Sequence, residues 1–134
     1  MNRYLLDTNV CIAILNGNQQ VLAHIREAGT QALYICAPVK AELWFGACKS
    51  QRVAENQSRL RLLFDDLLSL HLDDIAAEHC GEIRAYLAKK GTPIGPYDIQ
   101  IAAIARANGL ILVTHNTNEF LRVPELKVED WQHT

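Results

Sequence analysis

The sequence predicts a three-layer α/β/α domain with a central, mainly parallel sheet of about four or five strands. Strand-like apolar segments alternate with segments of helical periodicity along the whole chain. This alternation favours parallel strands joined by right-handed helical crossovers, with helices on both faces of the sheet. The 134 residues contain no internal repeat and no linker-like stretch. Because this length is typical of one domain, we expect a single domain over residues 1–134.

The first half of the chain is predicted to contain two strands and four helices. Arg3–Leu6 and Leu33–Ala37 are short and almost wholly apolar, which is typical of buried parallel strands. Pro38 is expected to break the second strand, while the Asn16–Asn18 turn and Gly29 are expected to end the first two helices. The predicted helices are Asn9–Leu15, Gln19–Ala28, Val39–Lys49 and Arg52–Leu67.

The second half continues the alternation of strands and helices. LLSLHL (67–72) suggests a strand after the long helix, and Gly91–Pro96 is predicted to be a loop. Helices are predicted over Asp74–Lys90 and Tyr97–Ala107, and a short helical piece after THNT. Leu110–Thr114 is the clearest strand, and a last short one is expected near Lys127–Glu129. The helix before the loop is expected to bury Ala77, Cys80, Ile83, Tyr86 and Leu87.

Composition excludes several classes of protein. Thirteen basic and fifteen acidic residues give a net charge of −2, which argues against a binder that simply coats nucleic-acid phosphates. No apolar run approaches the ~20 residues of a membrane-spanning helix. Asp7 interrupts the apolar N-terminal segment, so a signal peptide is not predicted and the cytoplasm is the expected compartment. Without a CxxC pair, buried free thiols rather than a zinc site are predicted at Cys11, Cys36, Cys48 and Cys80.

Acidic side chains follow the predicted strands. Asp7 comes directly after the first strand, Glu42 follows the second, and Asp98 lies in the first turn of the helix after the GTPIGP loop. Asn116 and Glu119 follow the LILVT strand. In open α/β sheets, ligands bind beyond the carboxyl ends of the strands, so we expect these residues to share one edge.

Each acid also has a purely structural explanation. Asp7 can cap the helix that begins near Asn9, and acids in a first helical turn can interact with the helix dipole. A carboxylate at the end of a buried apolar strand is nevertheless costly unless it has a partner. The combination therefore carries more weight than any single acid. Both Asp98 and Glu42 are predicted on inward-leaning faces, with Ile101, Ala102 and Ala105 and with Phe45, Gly46 and Lys49 respectively.

Clustered carboxylates repel one another unless a cation lies between them. Mg²⁺ and Mn²⁺ prefer oxygen ligands, and one or two such ions can activate water and stabilise charge on a phosphodiester. The histidines, at positions 24, 71, 79, 115 and 133, form no metal-binding motif. His115 lies nearest the predicted edge and is interpreted as a loop residue, with contact to a substrate as the alternative.

Three segments together resemble one protein family: LLDTN, AELWFGA and PIGPYDIQIAAIARANGLILVTHNTNEFLRVPELKVEDW. In this order, and with the LVTHNTNEF ending, they are similar to the PIN-domain nucleases, in particular the VapC-type toxins of bacterial toxin–antitoxin pairs. The resemblance runs from Leu5 to Trp131 and implies a PIN-like fold. It also implies endoribonuclease activity that depends on Mg²⁺ or Mn²⁺.

The resemblance assigns roles to individual residues. Asp7, Glu42 and Asp98 correspond to the first three acids of the family, which hold the metal and carry catalysis. Asn116 stands where many members have a fourth acid, and Glu119 is the candidate replacement, so both are candidate ligands. Thr8 and Thr114 are implied to support the site with their hydroxyl groups.

The resemblance also implies a biological setting. Such toxins form homodimers and are neutralised by a cognate VapB-type antitoxin, whose tail places a basic side chain in the acidic pocket. The toxin contacts operator DNA only through this antitoxin. Within the family, the similarity is to the subgroup that cleaves tRNA, with initiator tRNA as the expected substrate.

Other interpretations of the sequence stay open at this point. An Asp after the first strand also occurs in phosphoryl-transfer domains of the receiver and haloacid-dehalogenase types, although the second type needs Asp-x-Asp where this chain has Asp7-Thr8-Asn9. A non-catalytic domain that binds RNA or a partner is a third possibility. Trp44 and Phe45 are predicted to be core or interface residues. RNA-holding flanks, or simply solvated helix faces, are predicted at Lys40, Lys49, Arg52, Arg59, Arg61, Arg84, Lys89 and Lys90.

Overall fold

The computed structural model describes residues 1–132, and within them the strands form one five-stranded, all-parallel sheet. The strand order is β3-β2-β1-β4-β5, so the first strand is central. This confirms the predicted α/β class and parallel sheet. The strands are β1 (Tyr4–Leu6), β2 (Leu33–Cys36), β3 (Leu68–Leu70), β4 (Ile111–Val113) and β5 (Val128–Glu129).

Helices connect consecutive strands. A 3₁₀ turn, Thr30–Ala32, precedes β2 and was not predicted from the sequence. The last helix of the described chain is one turn long, as expected for the segment after β4. The helices are α1 (Thr8–Leu15), α2 (Gln19–Ala28), α3 (Ala37–Cys48), α4 (Val53–Asp65), α5 (Asp74–Lys90), α6 (Pro96–Ala107) and α7 (Thr117–Phe120).

Side-chain caps fix the ends of the two helices whose predicted limits are those observed, α2 and α5. Asn18 Oδ1 accepts a hydrogen bond from Val21 N at 3.1 Å, and Asp73 Oδ1 accepts one from Ala76 N at 2.9 Å. Each bond satisfies an amide that the first helical turn leaves without an intrahelical partner. Gly91 ends α5 in the left-handed conformation, with φ 69°.

Pro38 does not separate β2 from α3 as predicted. The helix begins at Ala37, two residues before its predicted start at Val39, and Pro38 lies in its first turn, where a missing backbone N–H costs nothing. The predicted strand therefore ends at Cys36 rather than Ala37. Glu42 accordingly lies in the second turn of α3.

The buried face of α5 differs from the prediction. Ala76, Ile83 and Leu87 are buried, whereas Ala77 and Tyr86 are exposed. Spacings of seven and four residues place the three buried side chains on one stripe, which packs against α6. The prediction of the buried face was therefore wrong by one residue at the start of the helix, where Ala76 is buried instead of Ala77.

The core runs continuously across the sheet and reaches the C-terminal segment. Trp131 is 2% exposed and packs edge-on against Tyr4, with 5.1 Å between ring centroids. It also stacks on His24 at 5.0 Å. These contacts attach the segment after β5 to both β1 and α2.

The cysteines within the described residues are free, as predicted, but they are not all buried. Cys11 and Cys36 are buried, and desolvation raises the pKa of both thiols, that of Cys36 to about 12. Cys80 is half-buried and Cys48 is exposed, so the predicted burial is wrong for Cys48. No helix of the described chain is sufficiently long and apolar to span a membrane.

Candidate active site

The predicted acids converge at the carboxyl edge of the central strands. Asp7 follows β1, Glu42 lies on α3, Asp98 is the third residue of α6, and Glu119 lies on α7. Asp98 lies close enough to the other three acids for their charges to raise its pKa. Asp7 likewise has electrostatic interactions with Glu42 and Glu119. Residues separated by up to 112 positions along the chain therefore face one shared space.

Asp7 is held at both carboxylate oxygens. Oδ1 accepts a hydrogen bond from Thr8 N at 2.8 Å, and Oδ2 accepts one from Thr114 Oγ1 at 2.7 Å. The side chain is 5% exposed, and this burial raises its pKa above the usual value. The two hydrogen bonds oppose that rise. Asp7 is also the N-cap of α1, so the structural explanation of this residue is correct as well.

Thr114 links Asp7 to the segment that follows β4. Its hydroxyl is fully buried, accepts a hydrogen bond from Asn116 N at 3.0 Å, and donates to Asp7. Because its acceptor role is taken by Asn116 N, the hydroxyl proton is directed at the carboxylate. Asn116 in turn donates from Nδ2 to Glu119 Oε2 at 3.0 Å. One chain of hydrogen bonds therefore orients two acids.

Asp98 lies close to Glu119, and the interaction between these two side chains contributes to a raised pKa of Asp98. A second carboxylate nearby disfavours the charged form of the first. Desolvation first, and then the side chain of Glu119 and the charges of Asp7, Glu119 and Glu42, raise the pKa of Asp98 to about 7. Asp98 therefore changes its protonation state near neutral pH.

Glu42 lies beside the hydroxyl of Thr8. Partial burial raises the pKa of Glu42, and the nearby Thr8 side chain partly offsets this rise. Thr8 Oγ1 is buried, yet it completes no well-formed hydrogen bond within the described residues. A buried hydroxyl without a full partner is unusual, and here it faces the acid cluster.

The donor set matches a hard divalent cation. In the described part of the chain, no ion pair neutralises any of the four carboxylates. Carboxylate oxygens are the ligands that Mg²⁺ and Mn²⁺ prefer, and the unsatisfied Thr8 hydroxyl adds a further oxygen nearby. No three Asp, Glu, His or Cys side chains among residues 1–132 form a ready-made metal site. A cation would therefore have to draw the acids closer together.

The comparison with known families excludes one of the alternatives left open by the sequence. The PIN-domain model matches residues 4–126. The chain belongs to the PIN-domain family. This PIN domain is therefore not a phosphoryl-transfer domain of the receiver or haloacid-dehalogenase type.

Individual relatives place this PIN domain in the VapC branch. It is 41% identical to the "tRNA(fMet)-specific endonuclease VapC" of Salmonella typhimurium, over 98% of this chain and 99% of that protein. The protein of the same name from Shigella flexneri is 39% identical over the same shares. The "Ribonuclease VapC2" of Rickettsia felis is 35% identical over 96% of this chain and 97% of its own length.

Solved structures show the same fold. The PIN domain superposes with a TM-score of 0.92 on a chain of the DNA-bound VapBC from Salmonella typhimurium, which is 40% identical and is covered over 99% of its length, against 98% of this chain. A chain of VapBC2 from Rickettsia felis, bound to a promoter DNA fragment, gives 0.90 at 33% identity, covering 96% of this chain and 98% of its own.

Two of the predicted basic residues of this PIN domain contact the two predicted aromatic residues of α3. Lys49 lies 4.8 Å from the centroid of the Phe45 ring, and Arg61 lies 5.1 Å from that of Trp44. Trp44 is half-buried against the core, but Phe45 is 64% exposed, so the predicted inward face of Glu42 is wrong at Phe45 and Lys49.

One contact beside the site was not predicted from the sequence, although His115 itself was expected near this edge. His115 Nδ1 donates to Asp130 Oδ2 at 3.1 Å, and no spacing rule connects these two positions. His115 therefore binds a carboxylate of the chain itself. His133 lies outside the described residues.

Proposed function

We propose that the chain is the toxin of a type II toxin–antitoxin pair, an endoribonuclease that hydrolyses a phosphodiester of tRNA, with initiator tRNA as the first candidate. The observation that carries the proposal is the set of four acids, from separate helices and strand ends, around one space at the sheet edge. The names of the two relatives that are tRNA(fMet)-specific endonucleases support the substrate.

Asp7, Glu42, Asp98 and Glu119 are proposed to hold Mg²⁺, or Mn²⁺, and to act as the catalytic set. When bound, the ion lowers the pKa of water and stabilises the negative charge that develops on phosphate. Thr114 and Thr8 orient Asp7, so that its carboxylate presents its remaining lone pairs to the cluster. The unsatisfied Thr8 hydroxyl supports the same assignment.

Glu119, rather than Asn116, is proposed as the fourth acid. Glu119 lies beside Asp98 and contributes to its raised pKa, whereas Asn116 directs Nδ2 towards Glu119. Asn116 then acts as a positioning residue whose Oδ1 is still available as a neutral oxygen ligand. The proton that Asp98 retains has to leave before this residue can bind a cation.

The remaining features of the proposal concern assembly. A cognate VapB-type antitoxin is expected to neutralise the toxin and to connect it to operator DNA, which the toxin is not expected to contact directly. The related VapBC complexes bound to DNA support such an assembly. We further propose a homodimer, a site of action in the cytoplasm, where tRNA is found, and a single nuclease domain over residues 1–134. The continuous core of the described residues supports the last point.

Incubation of the antitoxin-free protein with total tRNA tests the proposal. Cleavage of one tRNA species in Mg²⁺ or Mn²⁺, and none in EDTA, is the expected result. Calorimetric titration with Mg²⁺ separates the remaining alternative, because a non-catalytic scaffold would take up no ion specifically. Intact tRNA together with absent ion uptake would contradict the proposal.

A further inference from the structure

A groove of about 410 Å³ runs along α1. Its lining comprises Asn9, Ile12, Ala13, Asn16 and Asn18, from α1 and the turn after it, together with His115 and Gln132. None of the four acids lines it, but Asn9 is two residues from Asp7, and His115 follows Thr114, which donates to Asp7. The groove therefore lies beside the acid cluster rather than within it.

The lining of this groove suits a nucleobase better than a phosphate. It contains no lysine or arginine, the residues that bind phosphate most often. Asparagine and glutamine instead offer both a donor and an acceptor without net charge. The edge of an unpaired base displays the same mixture, and its face stacks on imidazole rings.

Several polar side-chain atoms that line the groove make no hydrogen bond to the rest of the described chain. Asn9 and Asn16 are exposed, and neither side chain makes a hydrogen bond within the described residues. Asn18 uses Oδ1 to cap α2, which leaves its Nδ2 for a ligand. His115 is 57% exposed, and Nδ1 is its contact to Asp130. That contact fixes the ring and leaves Nε2 and the ring face towards solvent.

We propose that this groove binds one unpaired nucleobase of the RNA substrate, next to the phosphodiester that is cut. Asn16 recognises the edge of the base, and His115, positioned by Asp130, contacts it with its ring. The inference rests on the proposed ribonuclease function. It adds that Asn16 and His115 contribute to the preference of the enzyme for particular RNA sequences.

Steady-state cleavage of a synthetic RNA hairpin tests the assignment, once the cut has been mapped in initiator tRNA. The variants are Asn16→Ala and His115→Ala, since Asn18→Ala would also remove a helix cap. Gln31→Ala is the matched control, because Gln31 is an exposed amide next to the amino end of β2. In each hairpin, one nucleotide beside the cut is replaced by an abasic unit.

Both variants are expected to raise KM roughly five- to tenfold, the cost of one hydrogen bond or stacking contact, and to leave kcat within about twofold. One abasic position should raise the KM of the wild type by more than either variant does, because it removes both contacts; this penalty should shrink in each variant and vanish when the two substitutions are combined. An abasic penalty of wild-type size in both variants, or KM values equal to that of Gln31→Ala, would overturn the inference.

The two proposals fail in different ways. A wild type that cuts no tRNA contradicts the ribonuclease function, and the groove is then tested by fluorescence anisotropy of the labelled hairpin. Weaker hairpin binding in both variants supports the groove assignment in that case. Unchanged hairpin binding, with reduced affinity only for a protein partner, contradicts it.

Discussion

The raised pKa of Asp98 links the acid cluster to the stability of the fold. An Asp in the unfolded chain has a pKa near ~3.9, whereas that of Asp98 in the folded chain is raised to about 7. Between these values the folded state retains a proton that the unfolded state has lost. The free energy of unfolding therefore falls as the pH rises through this window.

Asp98→Asn should remove this pH dependence. In EDTA, the melting temperature of the variant is expected to exceed that of the wild type at pH 7 and to approach it near pH 4. Differential scanning calorimetry at both pH values measures the difference. Asp74→Asn is the control, since Asp74 is an exposed acid in the first turn of α5. If the melting temperatures of Asp98→Asn and the wild type differ by the same amount at both pH values, folded Asp98 does not retain a proton at pH 7.

Asp7→Asn and Asp98→Asn should each reduce tRNA cleavage by roughly 100-fold or more. Each removes a negatively charged ligand that holds the ion, and the ion stabilises the negative charge on the reacting phosphate. The fold should survive, since Asn retains the capping oxygen of Asp7. Cleavage assays and circular dichroism check the two statements. Full activity in either purified variant rules out the proposed mechanism.

Two glycines, one within α5 and one at its C-cap, are expected to have opposite effects on stability when each is replaced by alanine. Gly81 lies within the helix, where an added Cβ meets no atom within 4 Å, so Gly81→Ala should stabilise the protein by about 0.5–1 kcal/mol. Gly91, at the C-terminal end of the same helix, has φ 69°, so Gly91→Ala should destabilise by about 1 kcal/mol. Urea unfolding measures both, and effects of equal sign would contradict the argument.

Predictions of helix limits were accurate where a cap residue was recognisable. Asn18 and Gly29 are the N-cap and C-cap of α2, and Asp73 and Gly91 are those of α5. The capping residues next to these helices therefore determine where they begin and end. The start of α3 was missed because proline permits two outcomes, a break or a first turn. The buried face of α5 was misplaced because Ala77 and Ala76 are equally apolar, and packing against α6 selects Ala76.

The same distinction applies to the candidate site. The strand-end rule predicted that Asp7, Glu42 and Glu119 lie at one edge of the sheet, because each comes soon after a strand and parallel strands end at the same edge. Asp98 follows a loop rather than a strand, so its position also depends on how α6 packs. The orientation of Asn116 towards Glu119 and the contact of His115 with Asp130 depend on side-chain geometry between distant segments. No sequence spacing encodes either contact.

The segment after β5 contributes to the stability of the whole molecule. Trp131 is buried between Tyr4 and His24, far from it in sequence, so Trp131→Ala should destabilise the protein by about 3–5 kcal/mol. Phe45→Ala, at an exposed aromatic, should change stability by less than about 1 kcal/mol. Chemical denaturation compares the two. A small effect at Trp131 would mean that this segment is not part of the core.

The strand order has a consequence for synthesis of the protein on the ribosome. β4 and the helix after it are made late, yet β4 inserts beside β1, the first strand to be made. A nascent chain that has emerged only as far as Gly109 lacks β4, one of the two neighbours of its central strand, and until Glu119 emerges it also lacks the last acid. The nuclease centre is therefore incomplete at these stages of translation, and the ribosome that makes this proposed toxin is protected from it until Glu119 has left the exit tunnel.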